Sequence, residues 1–141
     1  MLRDGRFFKV SELACHDGSP YPDYYAGRLV TLLSLLDKVR EAHGSALTVV
    51  SGYRSPAYNA RLAQDSTAHQ VASGSFHVQG QAADLRPVKG TVQDLYQEIL
   101  ALYRQGNLSE LGGIGIYPES NWVHIDCGKS EDGHLRMWRG T

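Results

Sequence analysis

Ser75-Phe76-His77-Val78-Gln79-Gly80-Gln81-Ala82-Ala83-Asp84 is answered about forty residues later by Trp122-Val123-His124-Ile125-Asp126. His77 and Asp84 stand seven residues apart, an odd spacing that would point their side chains to opposite faces of one continuous strand. The chain must therefore turn between them. Gly80 is the pivot this requires, because a residue without Cβ reaches backbone angles closed to others; Ala82-Ala83-Asp84-Leu85 can then run as a short strand. In the second stretch Trp122, His124 and Asp126 share one face of an expected strand, while Val123 and Ile125 share the other and can be buried. Two imidazoles and a carboxylate are ligand types that hold a catalytic zinc ion and leave a fourth position for water. His77, Asp84 and His124 are thus the expected ligands of one Zn2+, and hydrolysis is the expected chemistry.

The rest of the chain is consistent with one enzyme domain over residues 1–141, long enough to bury a sizeable core. Hydrophobic residues at 42% and charged residues at 21% match ordinary globular usage. A formal net charge of −1 supplies no global basic field for nucleic acid or an anionic membrane. No apolar run is long enough to span a bilayer, and Met1-Leu2-Arg3-Asp4-Gly5 lacks the apolar core of a signal peptide. A target outside the cytoplasm would call for a removed leader, a shortened chain or a phage lysis system. Cys15 and Cys127 read either as one disulfide or as two buried thiols. On a regular strand Cys127 faces away from His124 and Asp126, and it is not counted as a ligand.

Helical and strand signals alternate without repeats. Gly27 to His43 carries Leu29, Leu32, Leu33, Leu36 and Val39 at helical spacing, with Gly44 as the stop. Leu47-Thr48-Val49-Val50 reads as a buried strand leading into Ser51-Gly52-Tyr53-Arg54. Ser55-Pro56 then resembles an N-cap with proline at the first helical position, opening a short helix to about Leu62. Gln64 to Gly74 is small and polar and reads as a surface loop near the site. Thr91 to Gln105 is a second long helix, with Thr91 and Asp94 placed as a capping pair and Leu95, Ile99, Leu102 and Tyr103 along it. Strands follow at Gly113 to Tyr117, Asn121 to Cys127 and His134 to Trp138. The expected class is α+β, with a small, mainly antiparallel sheet and helices packed on it.

The Ser75-x-His77-x-x-Gly80-x-Ala82-x-Asp84 motif with Trp122-x-His124 resembles the zinc D-alanyl-D-alanine carboxypeptidases of peptidase family M15. Phe8-Lys9-Val10-Ser11-Glu12-Leu13, Ser51-Gly52-Tyr53-Arg54-Ser55-Pro56 with Tyr58-Asn59, Gly113-Ile114-Gly115 and Tyr117-Pro118 extend the resemblance to the branch of small murein peptidases and phage endolysins. It implies the hedgehog/DD-peptidase fold and cleavage of an amide bond in peptidoglycan stem peptides or crosslinks, as a D,D-carboxypeptidase or a murein endopeptidase. The place of action would be the cell wall, periplasmic or extracellular.

The resemblance also implies roles for particular residues. Arg54 matches the arginine that grips a substrate carboxylate, a task suited to the two parallel donors of a guanidinium; the structural alternative is a salt bridge. Ser75 matches a serine that binds substrate or orients the metal-site loop, or is simply a turn residue. Many M15 enzymes carry an acidic general base three positions before the last histidine, and here that position is Asn121, whose amide has no usable basicity. Asp126, two residues along the strand from His124, could be the base or could orient an imidazole; Glu119 is the other acidic candidate. Tyr53 and Trp122 either line the cleft or pack. His16, His43, His69 and His134 read as surface or hydrogen-bonded histidines. Two further classes compete: a catalytically silent zinc-containing module that binds peptidoglycan or protein, favoured by Asn121, and a phage assembly protein with a structural metal, which would need a fourth protein ligand.

Overall fold

Five short strands form one mixed sheet in the computed structural model, which describes residues 2–64 and 75–141. The strands are β1 (Leu47–Ser51), β2 (Ala82–Pro87), β3 (Gly113–Tyr117), β4 (Trp122–Asp126) and β5 (Arg136–Arg139), in the spatial order β1-β2-β4-β3-β5. All neighbouring pairs are antiparallel except β3 and β5, which run parallel. Among the described residues the α-helices are α1 (Ala26–His43), α2 (Pro56–Gln64) and α3 (Val92–Arg104). The architecture is the expected α+β class.

Strand alternation divides the sheet into an apolar face and a polar one. Ala83 and Leu85 of β2, Ile114 and Ile116 of β3 and Val123 and Ile125 of β4 enter the core. There α3 packs on β2, β3 and β4, and α1 packs on α3. The helical leucines of α1 are buried as their spacing predicts, and Gly44 ends that helix in the left-handed region at φ 77°. Thr91 Oγ1 accepts the Asp94 amide at 3.1 Å and starts α3. Ser55 Oγ likewise accepts the Tyr58 amide at 3.2 Å, which places Pro56 at the first position of α2.

One expectation changes. β1 is an edge strand rather than a buried one: Leu47 is buried, Thr48 is exposed, and Val49 and Val50 are only partly covered. With a neighbour on one side alone, a strand this short leaves most of its surface at the rim. Its register with β2 slips between Val49 and Ser51, and the irregularity sets Ser51 opposite Asp84.

The opposite face carries Asp84 of β2, His124 and Asp126 of β4, Gly113 and Gly115 of β3, and Arg136 and Trp138 of β5. Register aligns them in two rows. Ser51, Asp84, His124, Gly115 and Trp138 form one, and Ala82, Asp126, Gly113 and Arg136 form the other. No helix among the described residues is long and apolar enough to cross a membrane. Cys15 and Cys127 are both buried thiols without a disulfide. The Gln64 to Gly74 loop, with His69, lies outside the described residues except for Gln64, which ends α2.

Candidate metal centre

The turn that separates His77 from Asp84 is built from its own backbone. Val78, Gln79 and Gly80 donate to the carbonyls of Ser75, Phe76 and His77 at 3.1, 3.2 and 3.3 Å. Ser75 Oγ accepts the His77 amide at 3.1 Å, so the hydroxyl stabilises the turn that presents this imidazole. Gly80 sits at φ 72°, and a Cβ there would come within 2.6 Å of the Tyr21 hydroxyl. That hydroxyl donates to the Gly80 carbonyl, and Arg28 Nη1 donates to the Gln79 carbonyl at 2.7 Å.

Each of the three expected ligands has one polar atom engaged by the protein and one directed at a common point. His77 Nδ1 lies 2.7 Å from the Gly52 carbonyl; a carbonyl only accepts, so Nδ1 carries the proton and Nε2 keeps its lone pair. Asp84 Oδ2 lies 3.4 Å from Arg54 Nη2. His124 Nε2 lies 2.7 Å from Asp126 Oδ2. The remaining atoms meet at Asp84 Oδ1, which is 3.3 Å from His77 Nε2 and 3.0 Å from His124 Nδ1. Zinc bonds of about 2.0–2.1 Å at tetrahedral angles put ligand atoms roughly 3.4 Å apart, so these separations are ion-sized. The three residues are buried, and their ligand atoms all lie within 4.8 Å of one another.

The electrostatics follow from that packing. Burial alone would raise the Asp84 carboxyl, but His77 and His124 hold it well below the usual carboxylate range. Burial lowers the His77 imidazole and keeps it neutral, the form in which imidazole ligates. Burial would lower His124 too, yet its hydrogen bonds to Asp126 and Asp84 carry it up to about 9.

The Ser51-Gly52-Tyr53-Arg54 segment supports this group at several points. The Gly52 carbonyl orients His77, the Arg54 amide donates to the His77 carbonyl at 3.1 Å, and Ser51 Oγ accepts Arg54 Nε at 3.2 Å. The guanidinium also reaches Asn59 Oδ1 at 3.5 Å. Gly52 must lack a side chain, since a Cβ would meet the Leu13 backbone at 2.7 Å. The Leu13 carbonyl accepts the Tyr53 amide at 2.8 Å, tying the N-terminal segment to the site.

Asp126 is fully buried at 0% exposure. Its Oδ2 faces His124, and its Oδ1 accepts the Gly128 amide at 3.0 Å and pairs with Arg136. Glu119 is exposed in the turn joining β3 to β4 and stands outside the buried group. Asn121 closes that turn at φ 65°, a left-handed conformation that asparagine tolerates better than most side chains. Arg86 braces the turn by donating to the carbonyls of Asn121 and Ser120 at 2.8 and 3.1 Å.

Tyr53 belongs to the buried core, and Trp122 packs on Tyr117 with ring centres 5.7 Å apart. Cys127 also joins the core rather than the ligand group. His16 approaches the Tyr58 hydroxyl at 3.4 Å, His43 pairs with Glu98 at 2.7 Å, and His134 lies exposed shortly before β5.

Sequence reasoning passed over Gly52 as the partner of His77, and Arg136 and Trp138 altogether. Trp138 packs on the His124 ring in a tilted contact with centres 5.1 Å apart and donates its indole N–H to the Tyr117 hydroxyl at 2.6 Å. The signal was the matched two-residue spacing of Gly113-x-Gly115 and Arg136-x-Trp138, which becomes meaningful once the two strands lie in register.

The family model described as Peptidoglycan L,D-endopeptidase MepK matches residues 25–138. Among curated proteins, the peptidoglycan L,D-endopeptidase MepK of Escherichia coli K12 is 34% identical over 132 residues, covering 89% of this chain and 66% of that protein. The Shigella flexneri protein of the same name matches to the same extent. The probable peptidoglycan L,D-endopeptidase MepK of Haemophilus influenzae is 32% identical over 95 residues, 67% of this chain and 44% of that protein. The chain thus spans less than two thirds of the length of these relatives. No solved structure matches it.

Proposed function

Since this chain belongs to the M15-type peptidase family described as peptidoglycan L,D-endopeptidase MepK, we propose that it is a zinc-dependent peptidase cutting an amide bond in peptidoglycan crosslinks. The name of its relatives favours the endopeptidase over the carboxypeptidase reading, and an L,D bond as the target. One observation carries the proposal: three buried ligands each have their second polar atom engaged, so that Nε2 of His77, Oδ1 of Asp84 and Nδ1 of His124 converge.

These three residues would hold one zinc ion. When bound, zinc would bring the pKa of its water down to about 7 and polarise a scissile carbonyl. Gly52 and Asp126 fix the two imidazoles in the tautomers that this role needs. Arg54, while pairing with Asp84, remains the side chain suited to a substrate carboxylate and sets the register of the peptide. Ser75 acts through the turn that presents His77. Both Asp126 oxygens are engaged, so it serves as the orienting carboxylate of His124, and proton transfer falls to Glu119. Residues 1–141 act as one domain, and the place of action is the cell wall.

A second reading follows from Asn121: with an amide where many M15 enzymes have their base, the domain would keep zinc and bind peptidoglycan without cutting it. Digestion of purified peptidoglycan by zinc-loaded and chelator-stripped protein, followed by mass spectrometry of the released muropeptides, separates the two. Zinc-dependent cleavage of crosslinks is the expected result. An unchanged digest from protein that binds one zinc per chain would overturn the peptidase reading in favour of the binding module.

A further inference from the structure

Two β3 glycines open passages from the outer strand β5 to His124 and Asp126 on β4. Gly113 lies between Asp126 and Arg136, and Gly115 between His124 and Trp138. A Cβ on Gly113 would fall 2.6 Å from Arg136 Nη2 and 2.7 Å from Asp126 Oδ2, and one on Gly115 would overlap the Trp138 indole. Through the first passage Arg136 pairs with the buried Asp126 carboxylate and donates to the Gly128 carbonyl at 2.9 Å. Its guanidinium also lies over the Phe76 ring, 4.6 Å from the centre, and Phe76 is the neighbour of His77. One side chain from β5 therefore grips both segments that carry the histidines.

We propose that Arg136 is a positioning residue of the metal centre, which acts through Asp126 to hold His124 and through Phe76 to hold the His77 turn. The inference rests on the zinc-site reading above. Its physical basis is charge. An imidazole that ligates a metal is neutral, so the fully buried Asp126 then depends on Arg136 for its counter-charge. A buried carboxylate left without one is drawn toward water, and that displacement releases His124 Nε2. Arg136 keeps 32% of its side chain exposed, which lowers its own desolvation cost while it serves a partner that has no exposure.

The test is zinc affinity, measured by competition with a chromophoric chelator, together with the visible absorption spectrum of the cobalt-substituted protein. Arg136→Met keeps an unbranched apolar side chain on β5 and removes the guanidinium that meets Asp126 and Phe76. Gly113→Ala keeps the charge and displaces the guanidinium. Both are expected to bind zinc about 10- to 100-fold more weakly than wild type and to alter the cobalt bands, while Arg136→Lys recovers part of the loss. Wild-type affinity and spectrum in both Arg136→Met and Gly113→Ala would overturn the inference and leave the zinc site standing. Wild-type protein that takes up no zinc would instead overturn the parent reading, and this inference with it.

Discussion

His124 lies between two carboxylates, with Nε2 2.7 Å from Asp126 Oδ2 and Nδ1 3.0 Å from Asp84 Oδ1. The two contacts do different work. The fully buried Asp126 fixes the proton on Nε2, and Nδ1 is thereby turned toward the point where His77 and Asp84 also converge. Asp126→Ala should weaken zinc binding about 10- to 100-fold, and Asp126→Asn, whose amide oxygen can still accept from Nε2, should lose less. Equal zinc affinity in Asp126→Ala and wild type, measured by chelator competition, would remove Asp126 from the orienting role.

Glu119 carries the complementary prediction. Glu119→Gln should lower kcat on crosslinked muropeptides by about 100-fold or more, as expected for loss of a general base, with zinc content unchanged. Normal turnover would return the search for the base to the site's other groups.

Arg54 has a charged partner in Asp84 and a proposed partner in the substrate. Arg54→Lys retains the charge but not the two-pronged geometry. It should therefore raise KM more than it changes zinc affinity, and steady-state kinetics beside metal titration would show the split. Zinc affinity falling as far as kcat/KM would mean that Arg54 serves Asp84 alone.

Gly80→Ala tests the pivot. At φ 72°, with the Tyr21 hydroxyl 2.6 Å from the added Cβ, the variant should lose about 1–2 kcal/mol from the backbone alone and more from the displaced tyrosine. Urea denaturation reads the loss. An unchanged midpoint would show that the turn can be made another way.

Burial, followed by the charges of Asp126 and Glu110, pushes the Cys127 thiol up to about 12. In the native protein at pH 8 it should react with iodoacetamide far more slowly than in urea, since the thiolate is the nucleophile. The sign for stability follows: the unfolded thiol ionises near 9.0 and the folded one does not. Native stability should therefore fall as pH rises from about 9 toward 12, and by less in Cys127→Ala. Identical pH dependence in the two proteins would refute this.

Local pattern was enough for the helices, the strands and the buried His77, Asp84 and His124 group that could hold a metal ion. Helical spacing in α1, the Thr91 cap and the odd interval from His77 to Asp84 are properties of neighbouring residues, and backbone sterics acts at that range. The same holds for the two faces of β4, because a period of two follows from strand geometry alone. The edge position of β1 was hidden, since an apolar run reads the same at the rim of a sheet as at its centre.

The roles of Asp126, Arg136 and Trp138 depended on which strands became neighbours. From the sequence Asp126 could be a base or an orienting group, with the base role preferred, and only its packing against Arg136 and Gly128 engages its second oxygen. Gly113 and Gly115 are two small residues of an expected strand until β5 is laid parallel to β3, after which each is a gap for a side chain crossing the strand. The sequence by itself determined the candidate ligand types and their local turns, because steric limits and side-chain periodicity need no distant partner. Tertiary structure alone decided which atom of each candidate ligand remains available to a metal, because that choice is made by Gly52 and Arg54 of the segment after β1 and by Asp126 of β4, brought together only by the sheet.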